Sequence, residues 1–403
     1  MQWLGCVTAL QLPNVTRITP KEDGDLAVML TGGGARAAYQ VGLLKGLARH
    51  YPQLRFPVIT GVSAGAINAV FLAARQGPLS EKVDQLAAMW LELECSSIWS
   101  FDWKTLLPFR SALGTLFPRH HLTKPQALVD TAPLARLLCR AVDARPGEPI
   151  RGIMESVRSG ELHAVALNTL DYSTGQSVRW VQGRNFDVYE GTNRRTTSTE
   201  LTIEHVIASC ALPFFFPAVR IGSAWHGDGG IRLVSPLSPA VHLGARKIIA
   251  MSTGYQRTRD EADTPVVTGY PPAAQILGQL MNAVFLDVID EDVARMQRMN
   301  DMLAKLDARE RDGFKPIDLL VLRPSQDLGK LAGAYEKYLP RHMKMMIHAL
   351  GATETESPDF VSLLLFEPNY TRELISIGEA DVDARLPEIR TFLGASLPNA
   401  AAL

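Results

Sequence analysis

The first strongly patterned stretch, Leu26-Ala27-Val28-Met29-Leu30, is apolar at every position rather than alternating. Such a run predicts a strand buried on both faces. A glycine run follows, and then 37–49 has the composition of a helix. Residues 56–60 predict a second buried strand, and the small apolar residues of 64–75 predict a helix lying close on a sheet. Strand, helix, strand, helix in this order points to a parallel sheet with helices on its faces. Further strands are expected at 162–167, 177–181, 218–221, 247–251 and 317–322. Helices are expected near 82–94, 133–142, 202–210, 236–243, 273–308, 331–350 and 381–393. Residues 1–23 read as an irregular lead-in and 24–255 as the core. A polar, Pro- and Gly-containing junction opens a mostly helical C-terminal region, 256–403, whose strand at 317–322 is expected to rejoin the sheet.

Composition narrows the function. With 46% hydrophobic and 21% charged residues in 403, the chain can bury a sizeable core. A net charge of -1 gives no long-range field for nucleic acid or an anionic membrane, so any lipid contact must come from a local surface. Cys6, Cys95, Cys139 and Cys210 lack metal-ligand spacing and fit a reducing compartment better than a disulfide scaffold. No Lys or Arg precedes Arg17, so the N-terminus lacks the basic region of a signal peptide. The most apolar stretch, 207–219, is broken by Pro213 and Pro217 and does not read as a bilayer span. The expectation is a cytoplasmic protein, with peripheral contact at a membrane as its way of reaching lipid.

The glycine run Gly32-Gly33-Gly34 lies between a strand and a helix. Gly32, Gly34 and Ala37 fit the G-x-G-x-x-A dinucleotide pattern, but the second strand ends Thr60-Gly61, with no acid to hold a ribose. A second reading takes the same exposed N–H groups and helix end as a nest for an oxyanion. A third is a tight turn without a ligand. Arg36 adds a cation that either binds an anionic substrate group or anchors the loop. Downstream, Gly61-Val62-Ser63-Ala64-Gly65 is G-x-S-x-G at a strand-to-helix turn, the setting that lifts a serine nucleophile out of a sheet. Gly227-Asp228-Gly229-Gly230 offers a carboxylate at a turn.

These blocks, in order, resemble the patatin-like phospholipases: Gly32 to Arg36, Gly61 to Gly65, and Asp228-Gly229-Gly230. The stretch from Ala208 to Pro217 is similar to that family's A-S-x-A-x-P-x-x-F-P segment, and the likeness spans roughly 24–252. Ala37 and Ser235-Pro236 depart from frequent family residues. The resemblance implies a three-layer α/β/α fold with a mainly parallel central sheet. It implies a Ser63–Asp228 dyad without histidine and an oxyanion hole in Gly32, Gly33 and Gly34, built on the N–H groups of Gly33 and Gly34. The implied activity is lipid acyl hydrolysis of the phospholipase A or lysophospholipase type, with a phospholipid or other acyl lipid as partner and no cofactor or metal. Transacylation through the same serine and a non-catalytic lipid-binding module are the alternatives.

His226 suggests a triad instead of a dyad, whereas His205 and His242 on predicted helices read as structural. Asp287, Asp290, Glu291 and Asp292 read as the solvated face of a helix rather than a metal site. Residues 98–117 hold Trp99, Phe101, Trp103, Phe109 and Phe117. This segment is expected either to form the lipid-facing mouth of the site or to cover the core beside the elbow helix.

Overall fold

The computed structural model describes residues 25–100, 127–186, 188, 190–263, 270, 273–340, 344 and 359–394. β1 (Leu26–Leu30) is buried at all five positions because neighbours flank it and helices cover both its faces. The other strands are β2 (Val58–Gly61), β3 (Ala164–Asp171), β4 (Ser177–Gly183), β5 (Arg194–Ser198), β6 (Val219–Ile221), β7 (Ala224–Asp228), β8 (Lys247–Met251) and β9 (Asp318–Leu322). They form one nine-stranded sheet in the order β5-β4-β3-β2-β1-β8-β9, with the β6–β7 hairpin attached to β3 through β7. β1 runs parallel to β2 and β8, β2 to β3, β8 to β9 and β4 to β5. The β3–β4, β3–β7 and β6–β7 pairs are antiparallel. This is a mostly parallel α/β/α sandwich.

The β1–β2–β3 register brings the chemistry together. Leu30 pairs with Gly61 and Gly61 with Leu167, so the glycine loop and the Gly61–Gly65 turn leave the sheet side by side. Thr169 of the same β3 pairs with Asp228 of β7, just beyond its pairing with β2. One face of the sheet carries helices α1 (Ala38–His50) and α2 (Ala64–Ala74), and it holds the larger part of the core. The opposite face is covered by a smaller cluster that includes Leu237, Ala240, Leu243, Ile289 and Val293.

One strand escapes the sequence pattern: β5 reads Arg-Arg-Thr-Thr-Ser and has no apolar residue to signal it. The expected helix 273–308 is two helices, Ala273–Phe285 and Val288–Ala304. The first ends where the Asn282 carbonyl accepts the N–H groups of both Leu286 and Asp287. The expected helix 381–393 likewise divides into Pro368–Ala384 and Leu386–Gly394. Of the expected helix 331–350, Leu328–Gly333 and a short turn at Glu336–Tyr338 are seen, and most of 341–350 lies outside the described residues.

The C-terminal region packs directly on the core. β9 extends the sheet next to β8, and Tyr39 of α1 donates a 2.8 Å hydrogen bond to Asp381 of the Pro368–Ala384 helix. Among the described residues no helix is long and apolar enough to cross a membrane.

Candidate active site

Ser63 sits between β2 and α2 with φ 53° and ψ -133°, a backbone conformation that L-residues rarely adopt. Such strain persists only where the surroundings over-determine it. Here they do. The Ser63 N–H donates to Ser209 Oγ at 3.0 Å, and that hydroxyl donates onward to the Asn168 carbonyl at 2.8 Å. The Cys210 thiol donates to the Ser63 carbonyl at 3.0 Å. The flanking glycines are required sterically: a Cβ on Gly61 would lie 2.5 Å from the Gly65 carbonyl oxygen, and one on Gly65 2.4 Å from that of Leu30. The Ser63 hydroxyl stands at the start of α2, where unpaired N–H groups and the helix dipole favour negative charge.

The glycine loop closes over this turn. A Cβ on Gly32 would lie 3.0 Å from Ser63 Cβ, so the loop touches the serine directly. Gly33 (φ 145°) and Gly34 (φ 55°) occupy conformations that favour glycine. Thr253 Oγ1 donates to the Gly32 carbonyl at 2.6 Å. In a trans peptide the N–H points away from the C=O, so this bond turns the Gly33 N–H away from Thr253. A polar relay supports the loop from behind. Trp90 Nε1 donates to Asn68 Oδ1, Asn68 Nδ2 to Gln40 Oε1, and Gln40 Nε2 to the Thr31 and Met251 carbonyls.

Asp228 ends β7 and is wholly buried. Its N–H donates to the Ala211 carbonyl at 3.0 Å, and its Oδ1 accepts the Gly230 N–H at 2.8 Å. Oδ2 is buried without a hydrogen-bond partner among the described residues. Burial disfavours the carboxylate, the Ser63 hydroxyl and the Gly230 N–H oppose that effect, and the net result is a pKa pushed up to about 7. The Ser63 hydroxyl is thus close enough to act on the carboxyl group but is not held by it in a full hydrogen bond.

His226 does not join this pair. Its Nδ1 meets Thr169 Oγ1 at 3.1 Å, its ring packs edge-on against Trp180, and it makes no hydrogen bond to Ser63 or Asp228. Burial lowers its pKa, opposed by the charge of Asp171. His205 is structural: it completes a capping box with Thr202 at the start of the Ile203–Ser209 helix, and burial lowers its pKa to about 4.

Arg36 is placed differently from the anion-binding expectation. It is buried, with Nη2 at 2.7 Å from Asp359 Oδ1 and Nε donating to Ser362 Oγ at 2.6 Å. Asn282 Nδ2 donates to the other Asp359 oxygen at 2.8 Å. The guanidinium therefore clamps the glycine loop to the C-terminal Asp359–Leu364 helix, the anchoring alternative. Arg36→Met leaves Asp359 buried without its countercharge, so a loss of roughly 3–5 kcal/mol of stability is expected. Thermal or urea unfolding reads this directly. A substrate-binding arginine would instead raise KM while leaving the melting temperature unchanged.

An apolar cavity opens beside the serine, lined by Gly33, Gly34, Ser63 and side chains that include Ile67, Leu212, Phe216, Phe285 and Leu363. In the segment expected either to form the lipid-facing mouth or to cover the core, Trp99 is buried against Phe215 and Ile98 is buried where it lines the cavity, so these two residues follow the core-covering alternative. Residues 101–126, which hold Phe101, Trp103, Phe109 and Phe117, lie outside the described residues. Among the described residues no group of three or more His, Cys, Asp or Glu side chains is arranged to hold a metal. Asp290 pairs with Arg323, and Asp292 accepts the Leu237 N–H at 2.9 Å.

The sequence reading did not single out Ser209, Cys210 or Ala211, which hold the backbone of Ser63 and Asp228, although the segment containing them was part of the resemblance. Thr253 was also missed. Its signal was its place just past β8, beside the loop that follows β1.

The arrangement is a mostly parallel α/β sandwich with a strained serine, a glycine loop and a buried carboxyl group gathered at one end of the central strands. The sequence profile described as Patatin-like phospholipase matches residues 28–241, more than half of the chain. The chain belongs to the patatin-like phospholipase family. No curated protein matches it. Among solved structures it is similar to human GIVD cytosolic phospholipase A2, at 11% identity over 92% of this chain and 60% of that one, with a TM-score of 0.44. It is also similar to VipD from Legionella pneumophila, at 12% identity over 75% of this chain and 62% of that one, with a TM-score of 0.31. The chain spans about three-fifths of the length of these structures.

Proposed function

We propose that the chain is a serine lipid acyl hydrolase of the phospholipase A or lysophospholipase type, working through Ser63 and Asp228. The observation that carries this reading is the buried Asp228 carboxyl group, with a free Oδ2, set against a strained Ser63 at the edge of an apolar cavity. In the first step Ser63 Oγ attacks the acyl carbonyl carbon while its proton passes to Asp228. The carbonyl oxygen becomes an oxyanion, held by the N–H groups of Gly33 and Gly34 in the Gly32–Gly34 loop and favoured by the positive end of α2. Collapse breaks the ester C–O bond, and Asp228 returns the proton to the departing lyso-lipid alkoxide. Water then attacks the acyl-serine, Asp228 again takes and returns the proton, and a fatty acid leaves. The apolar lining beside Ser63 suits the carbonyl end of an acyl chain. Phe214, 91% exposed at φ 65° between the cavity residues Leu212 and Phe216, supports peripheral contact of this mouth with a lipid surface.

The test is product identification by mass spectrometry from phospholipid vesicles, followed by a pH profile. The expected products are a free fatty acid with the matching lyso- or deacylated lipid. Asp228 must be ionised to accept the proton, so kcat/KM should be level above about pH 7 and fall about tenfold per unit below it. Diacylglycerol or phosphatidic acid as the product, or activity undiminished two units below that point, contradicts the reading.

A further inference from the structure

A second cavity, of about 410 Å³, lies on the sheet face opposite α2. On β4, Arg179 shares its face with Val181, which packs in the Leu237–Ala240 cluster, while Val178 and Trp180 point into the α2 side. The side chains of Arg179, Arg194 and Arg232 line this space, and no carboxylate lines it among the described residues. Arg195 pairs with Val178 and turns its side chain to the α2 face, where Asp171 takes its Nη2 at 3.2 Å, and Asp292 takes Arg295 Nη1 at 3.3 Å. Arg232 spends its donors on neutral acceptors, the Gly175 carbonyl and Asn193 Oδ1.

Arg179 is the unusual member. It is 7% exposed and forms no ion pair among the described residues, and its one hydrogen bond there is from Nη2 to Ser238 Oγ at 3.4 Å. Its Nε is buried without a partner among the described residues. Burial, and then the charge of Arg194, lower its pKa to about 10. A buried guanidinium without a countercharge is unfavourable unless an anion completes it. Guanidinium forks match phosphate oxygens, and several of them around one space favour a dianion over a singly charged group. The volume exceeds that of a lone phosphate and leaves room for a small polyol body, for which Asn193 and Ser235 supply polar contacts.

We propose that this cavity is a second site, separate from the Ser63 cavity, that binds a phosphate monoester on a small polar body. The ester is either a free metabolite or the headgroup of a lipid. One wall of the site, Arg232 to Ser235, continues directly from the Asp228–Gly230 turn. The site does not depend on Ser63 acting as a nucleophile.

The test measures the binding of glycerol 3-phosphate and inorganic phosphate by calorimetry and thermal shift. It also measures recruitment to phosphatidylcholine vesicles with and without phosphatidic acid. The full chain is compared with its Arg179→Met, Arg232→Gln and Ser63→Ala variants. Saturable binding is expected, unchanged by Ser63→Ala and weakened about 10- to 100-fold by Arg179→Met, with a smaller loss for Arg232→Gln. Without ligand, Arg179→Met should melt no lower than the parent chain, because it removes an uncompensated buried charge. Soluble-ester binding without vesicle recruitment marks a metabolite site. Recruitment that needs phosphatidic acid and Arg179 marks a headgroup site. Absence of saturable binding to every probe overturns the proposal. So does binding of equal strength in the parent chain and both arginine variants, or a ligand-free Arg179→Met protein that is destabilised while the parent chain ignores phosphate.

Discussion

Ser63→Ala is expected to lower phospholipid acyl hydrolysis by about 10⁴- to 10⁶-fold, down to the residual rate that binding and the oxyanion loop provide alone. The variant should fold. The bonds that hold the turn use the Ser63 N–H and carbonyl, with Ser209 and Cys210 as partners, and the missing hydroxyl takes part in none of them. Activity on vesicles and a melting curve on the same sample separate the outcomes. A near-parental rate from protein free of parental contamination removes Ser63 from the mechanism. A large drop in melting temperature would mean that the loss reports folding instead.

Asp228→Asn should cost roughly 10²- to 10⁴-fold in turnover, because an amide cannot take the serine proton. The Gly230 N–H can still be accepted by the amide oxygen, so the turn after β7 should survive. Stability should move the other way. Burial raises the Asp228 pKa from 3.8 to about 7, so the folded state holds a proton that the unfolded chain has already released between those values. That contribution is full below about pH 4 and is lost as pH rises through about 7, so wild-type stability falls across the window. The asparagine variant is free of this penalty and should melt higher than the wild type at alkaline pH. Lost activity with gained stability is what a residue kept for chemistry produces. His226→Gln should reduce turnover far less, since His226 contacts Thr169 and Trp180 rather than the pair. Equal loss in folded His226→Gln and Asp228→Asn proteins would favour a triad.

What could be read in the sequence was local. The unbroken apolar run of β1, the glycines after it and the small residues of α2 state a strand, a loop and a tightly packed helix close together in the chain. The G-x-S-x-G turn depends on its neighbours at two positions either side, and the structure shows what a Cβ there would strike. What could not be read depends on distance along the chain. Arg36 looks like an anion ligand beside a glycine loop, but its partner Asp359 lies 323 residues away. Thr253 reaches the Gly32 carbonyl across 221 residues, through the parallel pairing of β1 with β8. β5 was invisible for another reason: a strand of Arg, Thr and Ser that lines a polar cavity gives no hydrophobic signal. Nothing local marks Arg194 at its start until the fold sets it on the same face as Arg179.

Ser63 as the nucleophile, poised by Asp228, is the central claim, and covalent labelling tests it most directly. The full chain is treated with a lipid-like fluorophosphonate, and the adduct is located by intact mass and peptide mapping. The expected result is a single adduct on Ser63, none on Ser63→Ala protein, and slow labelling of Asp228→Asn and of the parent chain below about pH 7. An adduct on a different residue, or none on protein that still hydrolyses lipid, would contradict it.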